Sequence, residues 1–228
     1  MLNTILVPIA REGRPFIAIF AIATVLLAFA SDWLAFAGLI LTAWCIYFFR
    51  DPDRVTPVRT GLVISPADGV VVSAGPAPWP KELAMGEGEV QRICIFMNVF
   101  DVHVNRTPVD GRVVRLAYVP GAFINASLDK ASEQNERQLV AMETRDGRPL
   151  AFVQIAGLVA RRIVCKISEG QTLLAGERVG MIRFGSRVDV YLPPEVAPLV
   201  AVGQRCVAGE TVIADLDHAG PARDGAVR

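Results

Sequence analysis

Two long apolar runs open the chain, and nothing like them follows. Phe16 to Ala30 carries no charged side chain, Ser31-Asp32 interrupts, and Leu34 to Phe49 is again uncharged. One helix over 16–49 would be about 50 Å long at a rise of about 1.5 Å per residue, against a hydrocarbon core of about 30 Å, so the pattern predicts a break. Ser31-Asp32 is the place for it, because both side chains compete for backbone hydrogen bonds and favour caps. Arg11, Arg14, Arg50 and Arg54 flank the outer ends. Under the positive-inside rule both ends then stay cytoplasmic, which predicts a hydrophobic helical hairpin over residues 1–49 that dips into or crosses the bilayer. A cleaved signal peptide would need a small-residue cleavage site before a polar start, and this stretch has none.

Trp44, Tyr47, Phe48 and Phe49 read as an interfacial aromatic belt, followed by a charged, proline-bearing linker over 50–61. From Leu62 the pattern changes to short valine- and isoleucine-rich runs separated by Gly, Pro and Asp. That is strand periodicity, and it predicts a mainly β domain over 62–216 with one short helix around Asn125–Arg137 and a loose polar tail over 217–228. Two internal echoes predict a pseudo-symmetric sheet. Pro66-Ala67-Asp68-Gly69-Val70-Val71 returns as Pro108-Val109-Asp110-Gly111-Arg112-Val113, and the turn-and-strand unit from Gly170 to Val179 returns from Gly203 to Val212. The second unit is similar in architecture to lipoyl- and biotinyl-type barrel-sandwiches, which sets the expected fold class.

The apolar excess is concentrated before residue 50, and the remainder has the composition of an ordinary globular domain. A formal net charge of zero argues against a nucleic-acid binder, which needs a basic surplus. Cys45, Cys94, Cys165 and Cys206 lie far apart in apolar settings without a C-x-x-C pair, so they read as reduced core residues in a cytosolic setting. With only two histidines, one of them His218 in the tail, no metal site is expected.

The chemistry centres on Met181 to Tyr191, an apolar strand interrupted by Gly185-Ser186 that resumes with Val188, Val190 and Leu192 alternating against Arg187, Asp189 and Tyr191. A glycine there is ordinarily a turn or bulge. Asp68 and His103 change its meaning, because a serine hydroxyl becomes nucleophilic when an imidazole held by a carboxylate takes its proton. His103 is the only histidine ahead of the tail, and the polar Asn105-Arg106 beside it does not read as core. Asp68 and Asp110 occupy equivalent Asp-Gly turns, and the residues alone do not separate them.

Four segments resemble one family, the short form of the phosphatidylserine decarboxylase proenzymes: Ser65-Pro66-Ala67-Asp68-Gly69, Phe100 to Arg106, Phe123 to Arg137, and Arg183-Phe184-Gly185-Ser186. They stand in family order, and the resemblance covers roughly residues 45 to 216. It implies a pyruvoyl-dependent lyase that cuts itself between Gly185 and Ser186 into a β chain, 1–185, and an α chain, 186–228, which stay together as a heterodimer. The cofactor would be a pyruvoyl group formed from Ser186, with no metal, and it would bind the amine of phosphatidylserine as a Schiff base before loss of carbon dioxide yields phosphatidylethanolamine. The resemblance selects Asp68 over Asp110, and His103 as base in self-cleavage and acid–base in decarboxylation. Lys130, Arg137 and Arg106 are candidates for the lipid phosphate on charge alone. The partners are the lipid and the membrane, and the location is the cytoplasmic face of the cell membrane. Longer relatives carry a second histidine where Arg106 stands, which leaves open the group that protonates the product carbon.

Two other readings use the same residues. A membrane-tethered serine hydrolase would keep Asp68, His103 and Ser186 without cutting itself, but the chain lacks a G-x-S-x-G elbow. A non-enzymatic adaptor on a lipoyl-like sandwich would present a lysine at the tip where Gly185-Ser186 stands.

Overall fold

A computed structural model describes residues 7–123, 126, 134–157, 162–183 and 185–218. The chain divides into two compact units, one holding the residues up to Asp53 with Phe100–Val102, the other Arg54–Val99 and everything from His103 on.

The first unit is built on α1 (Arg14–Ala28) and α2 (Asp32–Phe48), with a short 3-10 turn at Arg11–Gly13 before them. α2 starts directly after Ser31, at the predicted interruption. Gly38 lets the helices approach: a Cβ there would stand 2.7 Å from Thr24 Oγ1, and Thr24 and Thr42 meet hydroxyl to hydroxyl at 3.0 Å. The open ends are stitched by Ala10 N–H to the Phe49 carbonyl (2.9 Å) and Asp51 N–H to the Pro8 carbonyl (2.7 Å). Ile19, Ile22, Phe29, Trp33, Phe36 and Leu39 are each more than half exposed. Neither helix is long and apolar enough to cross a membrane; at about 1.5 Å per residue they measure about 22 and 25 Å.

The second unit is mainly β. Its strands are β1 (Leu62–Ile64), β2 (Gly69–Pro78), β3 (Glu89–Met97), β4 (Val104–Arg106), β5 (Gly111–Val119), β6 (Arg137–Thr144), β7 (Pro149–Ala156), β8 (Ile163–Cys165), β9 (Thr172–Leu173), β10 (Arg178–Ile182), β11 (Ser186–Leu192), β12 (Arg205–Cys206) and β13 (Val212–Asp215). Eight form one antiparallel sheet in the order β12-β2-β3-β11-β7-β6-β5-β9; β4-β10-β8 and β1-β13 form two smaller ones.

The large sheet is a palindrome, as the echoes predict. β2 and β5 each begin at the glycine of an Asp-Gly turn, and a Cβ there would strike the neighbouring strand's carbonyl oxygen, Phe96 O at 2.2 Å from Gly69 and Glu143 O at 2.4 Å from Gly111. Both strands shift register at the matching place, Val71/Ser73 and Val113/Arg115. The other echo supplies the edges. β12 lies on β2 and β9 on β5, with Gly203 N–H donating to the Val71 carbonyl and Gly170 N–H to the Val113 carbonyl, each at 2.8 Å.

The strand β11 is covered on both sides: all seven of its residues are buried, because apolar layers cover both faces of the sheet. The helix expected around Asn125–Arg137 falls mostly outside the described residues, but its last residue, Arg137, opens strand β6 opposite Ile155, drawn in by the apolar run Leu139–Met142 that the sheet buries.

Candidate active site

The end of β10 is tied to His103, whose carbonyl accepts the Ile182 N–H at 3.3 Å. The chain then turns at Gly185, with φ of 67°, and enters β11 at Ser186. A Cβ on Gly185 would meet nothing within 4 Å among the described residues, and it is the positive φ that calls for glycine there.

Ser186 lies in the middle of the sheet, paired with Met97 of β3 on one side and Ala156 of β7 on the other, and is fully buried. His103, also fully buried, faces the turn: Gly185 N–H donates to its Nε2 at 3.2 Å, which leaves the ring proton on Nδ1. The imidazole therefore touches the first residue of the predicted cleavage pair, at the N–H that lies one peptide ahead of the Gly185-Ser186 bond. The Ser186 hydroxyl points at Met97 Sδ, 3.9 Å away, and Met97 also receives Asn105 Nδ2 at 3.6 Å. Behind Asn105, Gln154 Nε2 donates to its Oδ1 at 2.8 Å, while Gln154 Oε1 is buried without a hydrogen-bond partner among the described residues.

The structure separates the two aspartates. In the repeat each accepts the matching backbone N–H at 2.8 Å, Asp68 from Ala208 and Asp110 from Ala175. Only Asp68 is buried and also gripped by a cation, Arg54, at 2.8 and 3.1 Å. Its turn is fastened to the strand that follows His103, since Arg106 N–H donates to the Pro66 carbonyl at 2.9 Å.

The cations proposed for phosphate are placed differently from one another. Arg106 is buried, with Nη1 donating to the Gly176 carbonyl at 2.8 Å. Arg137 is ion-paired with Glu82, whose own carboxyl is pushed up by burial but held below its ordinary range overall by a backbone N–H and Arg137. Lys130 lies outside the described residues. Among the described residues no group of three or more His, Cys, Asp or Glu is arranged to hold a metal ion.

Sequence reasoning missed the opposite face of β11. Arg187 and Asp189 form a side-on ion pair, with Nε to Oδ1 at 2.7 Å and Nη2 to Oδ2 at 3.0 Å, and both side chains are essentially inaccessible. Arg187 Nη1 also donates to the Ala126 carbonyl at 3.2 Å. Cys94 is directly opposite Asp189; burial, then the carboxylate, push its thiol far above the ordinary range. The available signal was two opposite charges at i and i+2 on a valine-rich strand, and for Gln154 a lone amide inside Ala151–Ala156.

Residues 41–214 match the family model described as phosphatidylserine decarboxylase. The chain is similar to the phosphatidylserine decarboxylase proenzyme of Paramagnetospirillum magneticum, 60% identical over 221 residues that make up 97% of this chain and 92% of that one. The proenzyme of Cereibacter sphaeroides is 57% identical over 228 residues, 100% and 98% of the two chains. That of Rhodospirillum rubrum is 56% identical over 228 residues, 99% and 97%.

Proposed function

We propose, since this chain belongs to the phosphatidylserine decarboxylase family, that it is a self-processing, pyruvoyl-dependent decarboxylase that converts phosphatidylserine to phosphatidylethanolamine and carbon dioxide. The observation that carries the reading is the hydrogen bond from the Gly185 N–H to His103 Nε2, one peptide ahead of the scissile bond, at a glycine of positive φ that leads into the buried Ser186.

A base beside the residue before the scissile bond and an alcohol on the residue after it are what an intramolecular acyl shift needs. Ser186 Oγ attacks the Gly185 carbonyl carbon and His103 takes the proton, with Asp68 and Arg54 fixing the turn beside His103. The peptide becomes an ester, elimination frees the Gly185 carboxylate, and hydrolysis of the residue left at 186 releases ammonia and forms the pyruvoyl group. The residues fit that group: position 186 is a serine, is fully buried, and follows a glycine on whose Cβ side no atom of the described residues stands within 4 Å. The pyruvoyl group supplies a ketone beside an amide carbonyl, a sink for the electron pair left as carbon dioxide departs. His103 remains at the site to move protons at the reacting carbon, and Arg106, Arg137 and Lys130 stay candidates for the phosphate. The 1–185 and 186–228 pieces remain one heterodimer.

The finer fold we assign is a lipoyl- or biotinyl-like barrel-sandwich, supported by the palindromic sheet and its two edge repeats. The domain limits follow the pattern of the chain: hairpin to 49, linker to 61, catalytic domain to 216. The helix pair holds the enzyme at the cytoplasmic face of the cell membrane, supported by its exposed Ile, Phe and Trp side chains between basic ends. A membrane-tethered hydrolase is disfavoured because a buried strand, not a helix, follows Ser186.

Intact-mass measurement decides the matter. The wild-type chain is expected as two pieces, the smaller without a free amino terminus, and Ser186→Ala as one whole, inactive chain; a continuous wild-type chain that still decarboxylates the lipid refutes the reading.

A further inference from the structure

Two glycines meet at the bond to be cut, and they are glycine for different reasons. Gly185 has positive φ and, among the described residues, open space where a side chain would go. Gly157, buried directly after Ala156 at the end of β7, does not have positive φ, so its φ does not call for glycine. Space is what forbids one. A Cβ at Gly157 would stand 2.1 Å from the Gly185 carbonyl oxygen, 3.0 Å from its carbon and 3.3 Å from the Ala126 Cβ. The oxygen of the scissile carbonyl thus rests on the bare Cα of Gly157, in the position of a weak C–H···O contact.

We infer that Gly157 is a positioning residue for self-cleavage, holding open the space that the Gly185 carbonyl oxygen occupies and moves through as the acyl shift proceeds. This role rests on the self-cleavage reading above. In that step a bond forms between Ser186 Oγ and the Gly185 carbonyl carbon, the hydroxyl proton passes to the base, and the carbonyl π pair moves onto the oxygen. The pair then returns as the carbon–nitrogen bond breaks, and the nitrogen of residue 186 takes up the proton, leaving an ester and a free amine. The carbon becomes tetrahedral in between, so the oxygen leaves the peptide plane and its bond lengthens from about 1.23 Å. Negative charge gathers on that oxygen, and its placement at that moment sets the barrier. A methyl group at 157 would take the oxygen's own place and push the carbonyl away from Ser186.

The test uses the full chain, with Gly157→Ala made alone and in the Ser186→Ala background. In that background the substituted chain is expected to fold, with a melting temperature close to its parent. With Ser186 present, cutting at 185/186 slows by about 100-fold or more, the scale on which a displaced oxyanion contact is felt. Neutral hydroxylamine, which cleaves esters, then fails to release the 186–228 fragment because no ester forms. A general loosening of the site slows every step together and leaves the ester's share unchanged, so lost hydroxylamine sensitivity marks the acyl shift. Adding Ala126→Gly removes the 3.3 Å contact but not the carbonyl one, and cutting stays blocked. Gly157 has no such role if cutting stays near the wild-type rate, if hydroxylamine releases the fragment, if Ala126→Gly restores cutting, or if Gly157→Ala cannot fold in the Ser186→Ala background. An uncut wild-type chain is a separate result, and it removes the self-cleavage reading itself.

Discussion

Arg187 and Asp189 hold the strand behind Ser186 by charge in a place where charge is costly. Both are desolvated, so each is tolerable only beside the other. Asp189→Ala, made in the Ser186→Ala chain so that one continuous polypeptide unfolds, is expected to lose about 3–5 kcal/mol in chemical denaturation because it strands a buried guanidinium. Replacing the pair together, Arg187→Met with Asp189→Leu, should recover most of that loss; losses that simply add would show that the two side chains do not act as a pair. The serine, the histidine and the turn glycine were legible as residue types, since each is rare or costly where it stands. Gly157 and the ion pair were not. Their importance lies in which carbonyl a missing side chain faces and which side of a strand is covered, and neither is written in local spacing.

Single elements follow the chain's own punctuation. α2 begins after Ser31, and β2 and β5 begin at Gly69 and Gly111 because the Asp-Gly turn lets two backbones approach where a side chain would collide. The repeats were readable because each one meets the same physical demand twice. Arg137 was misread because its segment carries good helix formers, while tertiary burial of Leu139–Met142 favours a strand. The short closing strand β13 shows how electrostatics supports such an element. Asp215 at its end pairs with Arg59; burial raises its carboxyl, but Arg59 and the Asp217 N–H outweigh it and leave the pKa below the ordinary value. A depressed folded value means the contribution is complete above the unfolded value of about 3.9 and disappears as pH falls through the lower folded one. Thermal melts across that acid range should therefore fall less steeply for Asp215→Asn than for the parent, and identical slopes would show that the pair is without effect.

For the whole molecule, the membrane role proposed for the apolar helices predicts different surroundings for two tryptophans. Trp33 is 82% exposed at the start of α2, whereas Trp79 packs on Tyr191 in the β unit. With vesicles containing brominated lipid, a chain retaining Trp33 alone is expected to be quenched and one retaining Trp79 alone is not; equal quenching would remove the membrane role assigned to the helix pair.

The pairing of the last three strands has a further result. β11 runs between β3 and β7, β12 lies on β2, and β13 on β1, so every named strand after residue 185 is laddered to one before it. A nick at 185/186 therefore leaves the folded enzyme looking much as it did, yet changes what melting means: the two pieces part, and each must find the other by diffusion. The midpoint of thermal unfolding should rise with protein concentration for the nicked enzyme and stay fixed for Ser186→Ala. Maturation on this scheme is a one-way passage, in which the molecule gives up its ability to fold again unaided when it acquires its chemistry.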